Sequence, residues 1–173
     1  MAGSLIKIDE EIVSSAVASV TLGGTDWDSS YDVYMVRINN VLPATDTVNF
    51  RLRFTVSGSA DDSSNYDRAF KNLRGDTTFG NTSSTNADHI NIGGLGTTGQ
   101  EMSNAILYLF NFNNASEYSF CTLEATTRND QSHLRGFQGG AVLTVAQATD
   151  GVNFSMDSGN IDSGTFVLYG LKK

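Results

Sequence analysis

The sequence is poor in cysteine, in proline and in the charged residues that helices favour. It contains one cysteine, Cys121, and one proline, Pro43, in 173 residues. A single cysteine excludes a disulfide framework within the chain, so the fold must be held by its hydrophobic core or by partner chains. The five glutamates and four lysines are few, and exposed helix surfaces are built largely from these residues. This shortage argues against a helical protein.

Excess basic charge and long hydrophobic runs are also missing. The net charge of −8 and the isoelectric point near 4.5 disfavour nucleic acids and anionic membranes as partners, because both are bound through basic surfaces. No run approaches the roughly 18 apolar residues of a membrane span. The segment from Met1 to Lys7 lacks a basic region followed by an apolar one. We therefore expect no secretory signal, no membrane insertion and synthesis in a cytosol.

Short alternating segments predict strands. In residues 47–57, apolar side chains from Val48 to Val56 alternate strictly with polar ones, which is typical of a half-buried strand. Arg51 and Arg53 then lie on the solvent or interface face of that strand. Other stretches rich in β-branched and aromatic residues predict strands at residues 17–22, 33–41, 105–112, 118–127, 140–145, 152–156 and 165–171.

These segments predict a single all-β domain over residues 1–173. Serine, threonine, asparagine and glycine are together as numerous as the hydrophobic residues, and they favour turns and polar strand faces. Short strands without helical segments between them favour an antiparallel β-sandwich that is jelly-roll-like. Two stretches dense in small polar residues, 58–65 and 74–99, are expected to form long loops.

One glycine motif has the spacing of a cofactor site. Residues 94–99 read Gly-Leu-Gly-Thr-Thr-Gly and match the dinucleotide-binding pattern G-x-G-x-x-G. That pattern binds a pyrophosphate where it joins a parallel strand to a helix, whereas the segment that follows here is strand-like. A chain with 17 glycines produces such a match easily by chance. We predict a glycine loop and no cofactor.

The histidines and the cysteine do not form a recognisable metal or redox motif. His89 and His133 are isolated in the sequence, and Cys121 has no C-x-x-C partner. Cys121 alternates with Leu123 and Ala125, as a small buried side chain would. We predict surface or loop-packed histidines and no metal site.

The sequence also lacks a catalytic arrangement. No G-x-S-x-G motif is present among the serines. Glu101, Glu117 and Glu124 could supply a carboxylate pair for glycoside hydrolysis, but no pattern pairs any two of them. We predict that the protein is not an enzyme and has no catalytic residue.

The loop of residues 24–32 is the strongest candidate for a binding site. It contains the only tryptophan, Trp27, together with Tyr31 and the carboxylates of Asp26 and Asp28. An aromatic side chain flanked by carboxylates suits stacking on a sugar ring and hydrogen bonding to its hydroxyls. Two alternatives remain open. The aspartates could bind calcium, although the EF-hand spacing is absent, or the aromatic rings could cap the core while the aspartates form Asx turns.

Residues 28–46 begin Asp-Ser-Ser-Tyr-Asp-Val-Tyr and end Asn-Val-Leu-Pro-Ala-Thr-Asp, and residues 163–172 read Ser-Gly-Thr-Phe-Val-Leu-Tyr-Gly-Leu-Lys. These two segments resemble parts of virion structural proteins of tailed bacteriophages, notably marine ones. The first resembles a D-S-x-Y-D-x-Y entry to a strand that ends in an N-x-x-P-A-T-D turn. The second is similar to the closing S-G-T-F-x-L-Y-G-L-K strand of that family. In this sequence the two segments are residues 28–46, from Asp28 to Asp46, and residues 158–172, whose last ten residues run from Ser163 to Lys172.

The resemblance implies a non-catalytic structural protein on the surface of the virion. It would be a capsid decoration, a head fibre or a short tail-fibre subunit, with other virion proteins as partners and possible contact with a glycan of the host surface. Such proteins are usually symmetric homo-oligomers, commonly trimers. Residues 105–112 are apolar on both faces of the predicted strand, so the second face is expected to pack on a neighbouring subunit. The alternative is a free lectin-like module or a glycan-active enzyme on the same sandwich.

Overall fold

A computed structural model describes residues 4–129 and 131–172, and almost all of its regular structure is β-strand. A three-residue 3₁₀ turn, Gly24–Asp26, is the only helical element among these residues. The strands of this part of the chain are β1 (Ser4–Val13), β2 (Ser19–Gly23), β3 (Val33–Pro43), β4 (Val48–Val56), β5 (Ser59–Ala60), β6 (Tyr66–Arg74), β7 (Gly80–Ala87), β8 (Ile90–Leu95), β9 (Ser103–Phe110), β10 (Ser119–Arg128), β11 (Leu134–Leu143), β12 (Gly151–Met156) and β13 (Ile161–Lys172).

The strands form two antiparallel sheets. Within the described residues the larger sheet has eight strands in the order β1-β13-β3-β9-β10-β11-β6-β7. The smaller sheet has the order β2-β12-β4-β5, and β8 also pairs with β4. The predicted all-β antiparallel sandwich is therefore confirmed, while its jelly-roll connectivity stays a prediction.

The core lies between the two sheets. Alternate residues of the long strands point inward, so one face of each sheet is apolar and is removed from water. Rings from both sheets meet there: Phe50 and Phe154 of the smaller sheet lie 6.3 Å and 5.3 Å from the ring centroid of Phe166 in β13. These contacts join the sheets near the middle of the sandwich.

The eight predicted strands are all present, with shifts of up to six residues at their ends. The prediction of residues 74–99 as one long loop is wrong, because β7 and β8 lie in it, and β1 and β6 were not predicted. β7 is a sheet-edge strand made almost entirely of small polar residues, so it has no hydrophobic alternation to detect. In β6 only Tyr66 and Phe70 supply apolar side chains to the core, and the inward position between them is Arg68.

Some predictions extend beyond the described residues. Residues 1–3, 130 and 173 of the predicted domain lie outside them, and so does the start of the segment from Met1 to Lys7. Among the residues that are described, no helix has the length and the hydrophobicity to cross a membrane.

Strand β13 occupies an interior position in the larger sheet. It pairs with β1 along one edge and with β3 along the other. Phe166, Val167 and Leu168 are completely buried, so both faces of the strand are covered. Many contacts of the larger sheet therefore depend on the last dozen described residues.

We expect that deleting residues 165–173 will prevent folding. Each buried Phe, Leu or Val side chain contributes about 1.5–3 kcal/mol, and a typical domain is stable by only about 5–15 kcal/mol. The truncated chain should be insoluble on expression, whereas deleting residues 172–173, which removes only the pairing with Ser4, should change little. A soluble long deletion with a cooperative melting transition would contradict this expectation.

Candidate functional site

The loop of residues 24–32 begins with a tight reversal at the end of β2. Gly23 and Gly24 have φ angles of +91° and +66°, a region that glycine enters without strain. A Cβ on Gly23 would also lie 2.7 Å from the carbonyl oxygen of Asp150 and 2.8 Å from the Trp27 ring. Glycine at this position therefore allows the tryptophan to fold back over the end of the sandwich.

Trp27 packs onto the end of the core. Its ring centroid lies 4.0 Å from that of Tyr34 and 5.5 Å from that of Phe112, and the side chain is half-buried. The indole Nε1 donates a hydrogen bond to Oδ1 of Asn113. Much of the ring is thus engaged by residues of β3 and of the connection after β9.

The polar groups around Trp27 form one hydrogen-bonded chain. Asn113 Nδ2 donates to the Tyr34 hydroxyl over 3.0 Å, and that hydroxyl donates to the carbonyl oxygen of Asp28 over 2.6 Å. Burial raises the pKa of Tyr34, so its hydroxyl keeps the proton that it donates. This chain ties the loop to β3 and fixes the orientation of the indole.

The other predicted site residues lie in the same loop but in different surroundings. Tyr31 is half-buried against the backbone of β13, where a Cβ on Gly170 would clash with its ring. Asp28 Oδ1 accepts a hydrogen bond from the backbone N–H of Ser30 over 2.9 Å, which is an Asx turn. Hydrogen bonds from the Ser30 side chain and backbone lower the pKa of Asp28, so its carboxylate stays charged. Asp26 is exposed at the end of the 3₁₀ turn.

The structure brings the four predicted residues, Trp27, Tyr31, Asp26 and Asp28, into one surface loop. Trp27 and Tyr31 pack on the core, as the core-capping alternative expects, and each keeps part of its surface exposed. Contact between this loop and a glycan stays a prediction. Across the described ranges, no group of three or more His, Cys, Asp or Glu side chains is placed to hold a metal ion.

Sequence reasoning missed Asp150, which supports this end of the sandwich. Its carboxylate accepts hydrogen bonds from Oγ1 of Thr55 over 2.7 Å and from the backbone N–H of Gly58 over 2.8 Å. Its carbonyl oxygen accepts a third bond from the N–H of Gly24 over 2.7 Å. In the sequence, only an Asp-Gly pair before β12 marks this residue. Its three donors, Gly24, Thr55 and Gly58, all lie far from Asp150 in the chain, so no local pattern points to them.

The two arginines of β4 are paired with acids rather than free in solvent. Arg53 donates from Nη2 to Oδ2 of Asp88 over 2.8 Å and from Nε to the Asp88 carbonyl oxygen over 2.7 Å. Arg51 lies 3.7 Å from Asp157, and about a quarter of each arginine side chain is exposed, at 28% and 21%. Both arginines therefore bind loops of their own chain.

His89 belongs to the same cluster, and it is the more buried of the two histidines. Its Nδ1 lies 2.7 Å from Oδ1 of Asp88, and its side chain is only 14% exposed. Burial lowers the pKa of His89, the hydrogen bond and the charge of Asp88 oppose this change, and the positive charges of Arg51 and Arg68 add to it, so that the pKa is lowered overall. His133 is more exposed, at 44%, and lies 3.5 Å from Asp76. The imidazole of His89 is therefore held in its neutral form.

Backbone N–H groups of the glycine motif at residues 94–99 donate hydrogen bonds to carboxylates of the protein itself. Its first two residues, Gly94 and Leu95, are the end of β8 and pair antiparallel with β4, and the rest of the motif leads through a turn into β9. The backbone N–H of Thr98 donates to Oε2 of Glu101 over 3.1 Å, and that of Thr97 donates to Oδ1 of Asp46 over 3.2 Å. Negative charge thus occupies the place that a phosphate would take in a dinucleotide site.

The remaining candidates are separated in space. Glu117 precedes β10 and Glu124 lies within it, and the strand from Ser119 to Glu124 alone spans about 17 Å. Paired glycosidase carboxylates lie roughly 5–9.5 Å apart. Cys121 is buried in the core, and this burial raises its thiol pKa to about 12. Neither feature supplies a nucleophile or an acid–base pair.

No protein-family model and no curated protein matches this chain. The function must therefore be inferred from its own geometry and from the two segments that carry the resemblance.

We expect Trp27 to contribute substantially to stability. Trp27→Phe keeps a stacked ring but loses the bond to Asn113, and should lower the free energy of unfolding by about 1 kcal/mol. Trp27→Ala also removes the packing, and should cost about 3–5 kcal/mol in urea denaturation followed by circular dichroism. Asp26→Ala, an exposed control in the same loop, should change it by less than about 0.5 kcal/mol. A silent Trp27→Ala would show that the ring does not belong to the core.

The lowered pKa of His89 predicts that stability falls on mild acidification. The unfolded chain binds a proton at the ordinary histidine pKa of about 6.5, whereas the folded chain resists protonation until a lower pH. The contribution of neutral His89 to the free energy of unfolding is therefore fully present above about pH 6.5, and it declines as the pH falls below that value. His89→Gln should flatten the fall in melting temperature between about pH 7 and pH 5, with the exposed His133→Gln as control. An unchanged slope would contradict the assignment.

Proposed function

We propose that this chain is a non-catalytic structural protein of a tailed-phage virion, displayed on the particle surface. It would serve as a capsid decoration, a head fibre or a short tail-fibre subunit, made in the host cytoplasm and bound to other virion proteins. The observation that supports this proposal is that the two segments with the family resemblance, far apart in sequence, are adjacent strands of one sheet.

The pairing of these segments extends along both strands. β3 and β13 pair antiparallel from Pro43 opposite Ile161 to Tyr34 opposite Gly170. Two independent chance likenesses would have no reason to be hydrogen-bonded neighbours over such a length. The resembling residues thus belong to one structural unit.

The turns that follow and precede the paired strands also pack together. The N–H of Ala44 donates to the carbonyl oxygen of Asn160 over 2.9 Å. Gly159 has a φ of +73°, and a Cβ there would clash with Oγ1 of Thr45. The P-A-T-D turn of the first segment therefore packs directly against the residues that lead into the second.

Within this proposal, the loop of residues 24–32 is the surface that would contact a host glycan. Trp27 and Tyr31 are partly exposed in the same loop that carries the carboxylates of Asp26 and Asp28. Such a surface also fits the alternative of a free lectin-like module. A glycan-active enzyme is less well supported, because Glu117 and Glu124 are too far apart to act as a pair.

Labelling of intact particles tests the proposal. Antibodies against the chain should decorate purified particles of the encoding phage on the head or the tail in electron micrographs. Absence from purified particles, with the protein free in the lysate, would overturn the virion role. Release of reducing ends from host polysaccharide, abolished by Glu117→Gln or Glu124→Gln, would instead support the enzyme alternative.

A further inference from the structure

The outer face of the larger sheet, which we define as the side turned away from the smaller sheet, is rich in apolar side chains. Ile106 and Tyr108 of β9 and Phe120 of β10 are 43%, 39% and 42% exposed on it. Met35 and Val167 are buried on the same face although they lie outside the core between the sheets. An exposed apolar surface of this kind usually marks an interaction site.

The charges on this face are arranged with opposite signs about β9. Strand pairing places Arg37 one strand to one side of Ile106 and Glu124 one strand to the other side. The row of paired residues that crosses the sheet through Ile106 also contains Glu10 and Lys71. Glu10 lies three strands from β9 on the side of Arg37, and Lys71 lies three strands from β9 on the side of Glu124. In this row each charge therefore has an opposite charge at the equal distance across β9, although Glu10 is also paired with Lys7 of its own chain over 2.8 Å.

Arg37 and Glu124 are exposed charges with no ion-pair partner among the described residues. Two strand spacings put their backbones about 10 Å apart, with Ile106 of β9 between them. Among the described residues neither side chain forms a salt bridge, although Arg37 lies over the Tyr169 ring at 5.9 Å and Glu124 accepts a hydrogen bond from Gln138. Both groups are exposed and keep their charge available.

We propose that the outer face is the interface of a two-fold symmetric dimer of this chain. The axis lies between the two copies and runs parallel to β9. Each strand of one copy therefore faces the strand of the other copy that lies at the same distance from β9 on the opposite side. Arg37 of each copy then faces Glu124 of the other, and Ile106 faces its own equivalent. An axis perpendicular to the strands would place Arg37 against Arg37, so the charges select the first arrangement.

The shape of the face supports the same axis. On one side of β9 the outward residues are bulky: Met35 and Val167 have almost no exposed surface of their own, and Tyr169 of the same half is partly exposed. On the other side small residues, among them Gly140 and Ala69, leave a groove of about 760 Å³. Tyr169 and Gly140 lie in the same row, each two strands from β9. The two-fold rotation therefore lays the bulky half of each copy over the groove of the other.

The available area is sufficient for a stable dimer. The seven strands from β1 to β6, three on each side of β9 and about seven residues each, cover on the order of 780 Å² at ordinary strand dimensions. Two such faces would bury about 1,550 Å², within the range of roughly 1,200–2,000 Å² for specific interfaces. Face-to-face packing of sheets about 10 Å apart, at an angle near 30°, is a standard arrangement.

This inference goes beyond the virion role and does not depend on it, because it concerns only copies of this chain. It also replaces the trimer that the family resemblance implies with a dimer at this surface. Labelling of particles and the association state in solution are separate measurements, so one can fail while the other holds.

Charge reversal in two complementary variants tests the interface. Sedimentation velocity and native mass spectrometry of the full chain should show a dimer at micromolar concentration. Arg37→Glu should weaken association by about 100-fold, because it sets a second carboxylate against Glu124 twice in each dimer. Glu124→Arg should do the same by opposing two guanidinium groups. An equimolar mixture of the two variants should form a heterodimer with nearly wild-type affinity.

Recovery in the mixture requires that both variants are folded and that positions 37 and 124 face each other across the interface. Glu117→Arg, which reverses an exposed charge in a loop, should dimerise like the wild type. Several results would overturn the proposal: a wild-type monomer or trimer at all concentrations, undiminished association of the single variants, or a mixture that remains monomeric.

Discussion

The contact on which the rest of the structure depends is the meeting of phenylalanine rings between the two sheets. Phe50 and Phe154 in the smaller sheet hold Phe166 of β13 from the opposite side. Because side chains alternate along a strand, a one-residue slip of β13 would turn Phe166 outward. Its burial therefore fixes the register of β13 against both β1 and β3. The alignment of the outward side chains of β1, β13 and β3 follows from that register.

The parts of the fold that could be predicted are those where the hydrophobic period is complete. β4 alternates without interruption, and its prediction is correct to within a residue at each end. β6 and β7 were missed because Arg68 takes an inward position and β7 has almost no apolar side chains. β1 carries a register shift between Lys7 and Asp9 and is largely exposed, so its pattern is broken as well.

The candidate site was predictable only as far as its residues are close in sequence. Trp27 and Tyr31 share one loop, which sequence alone places together. Their supports, Asn113 and Asp150, come from the connection after β9 and from the turn before β12. Neither residue belongs to a pattern that points to the loop, because the contacts are created by sheet packing. For the same reason the acidic partners of the β4 arginines could not be assigned.

The interior position of β13 has a consequence for how the protein is made. This strand is the last of the thirteen described strands to be synthesised, yet it lies between β1 and β3, two of the earliest. Until it arrives, β3 has one open edge and β1 lacks its neighbour in the sheet, and open edges recruit other strands. Pairing of segments so distant in sequence is also slow. The edges of β1 and β3 therefore stay open to pairing with other strands until β13 has been synthesised.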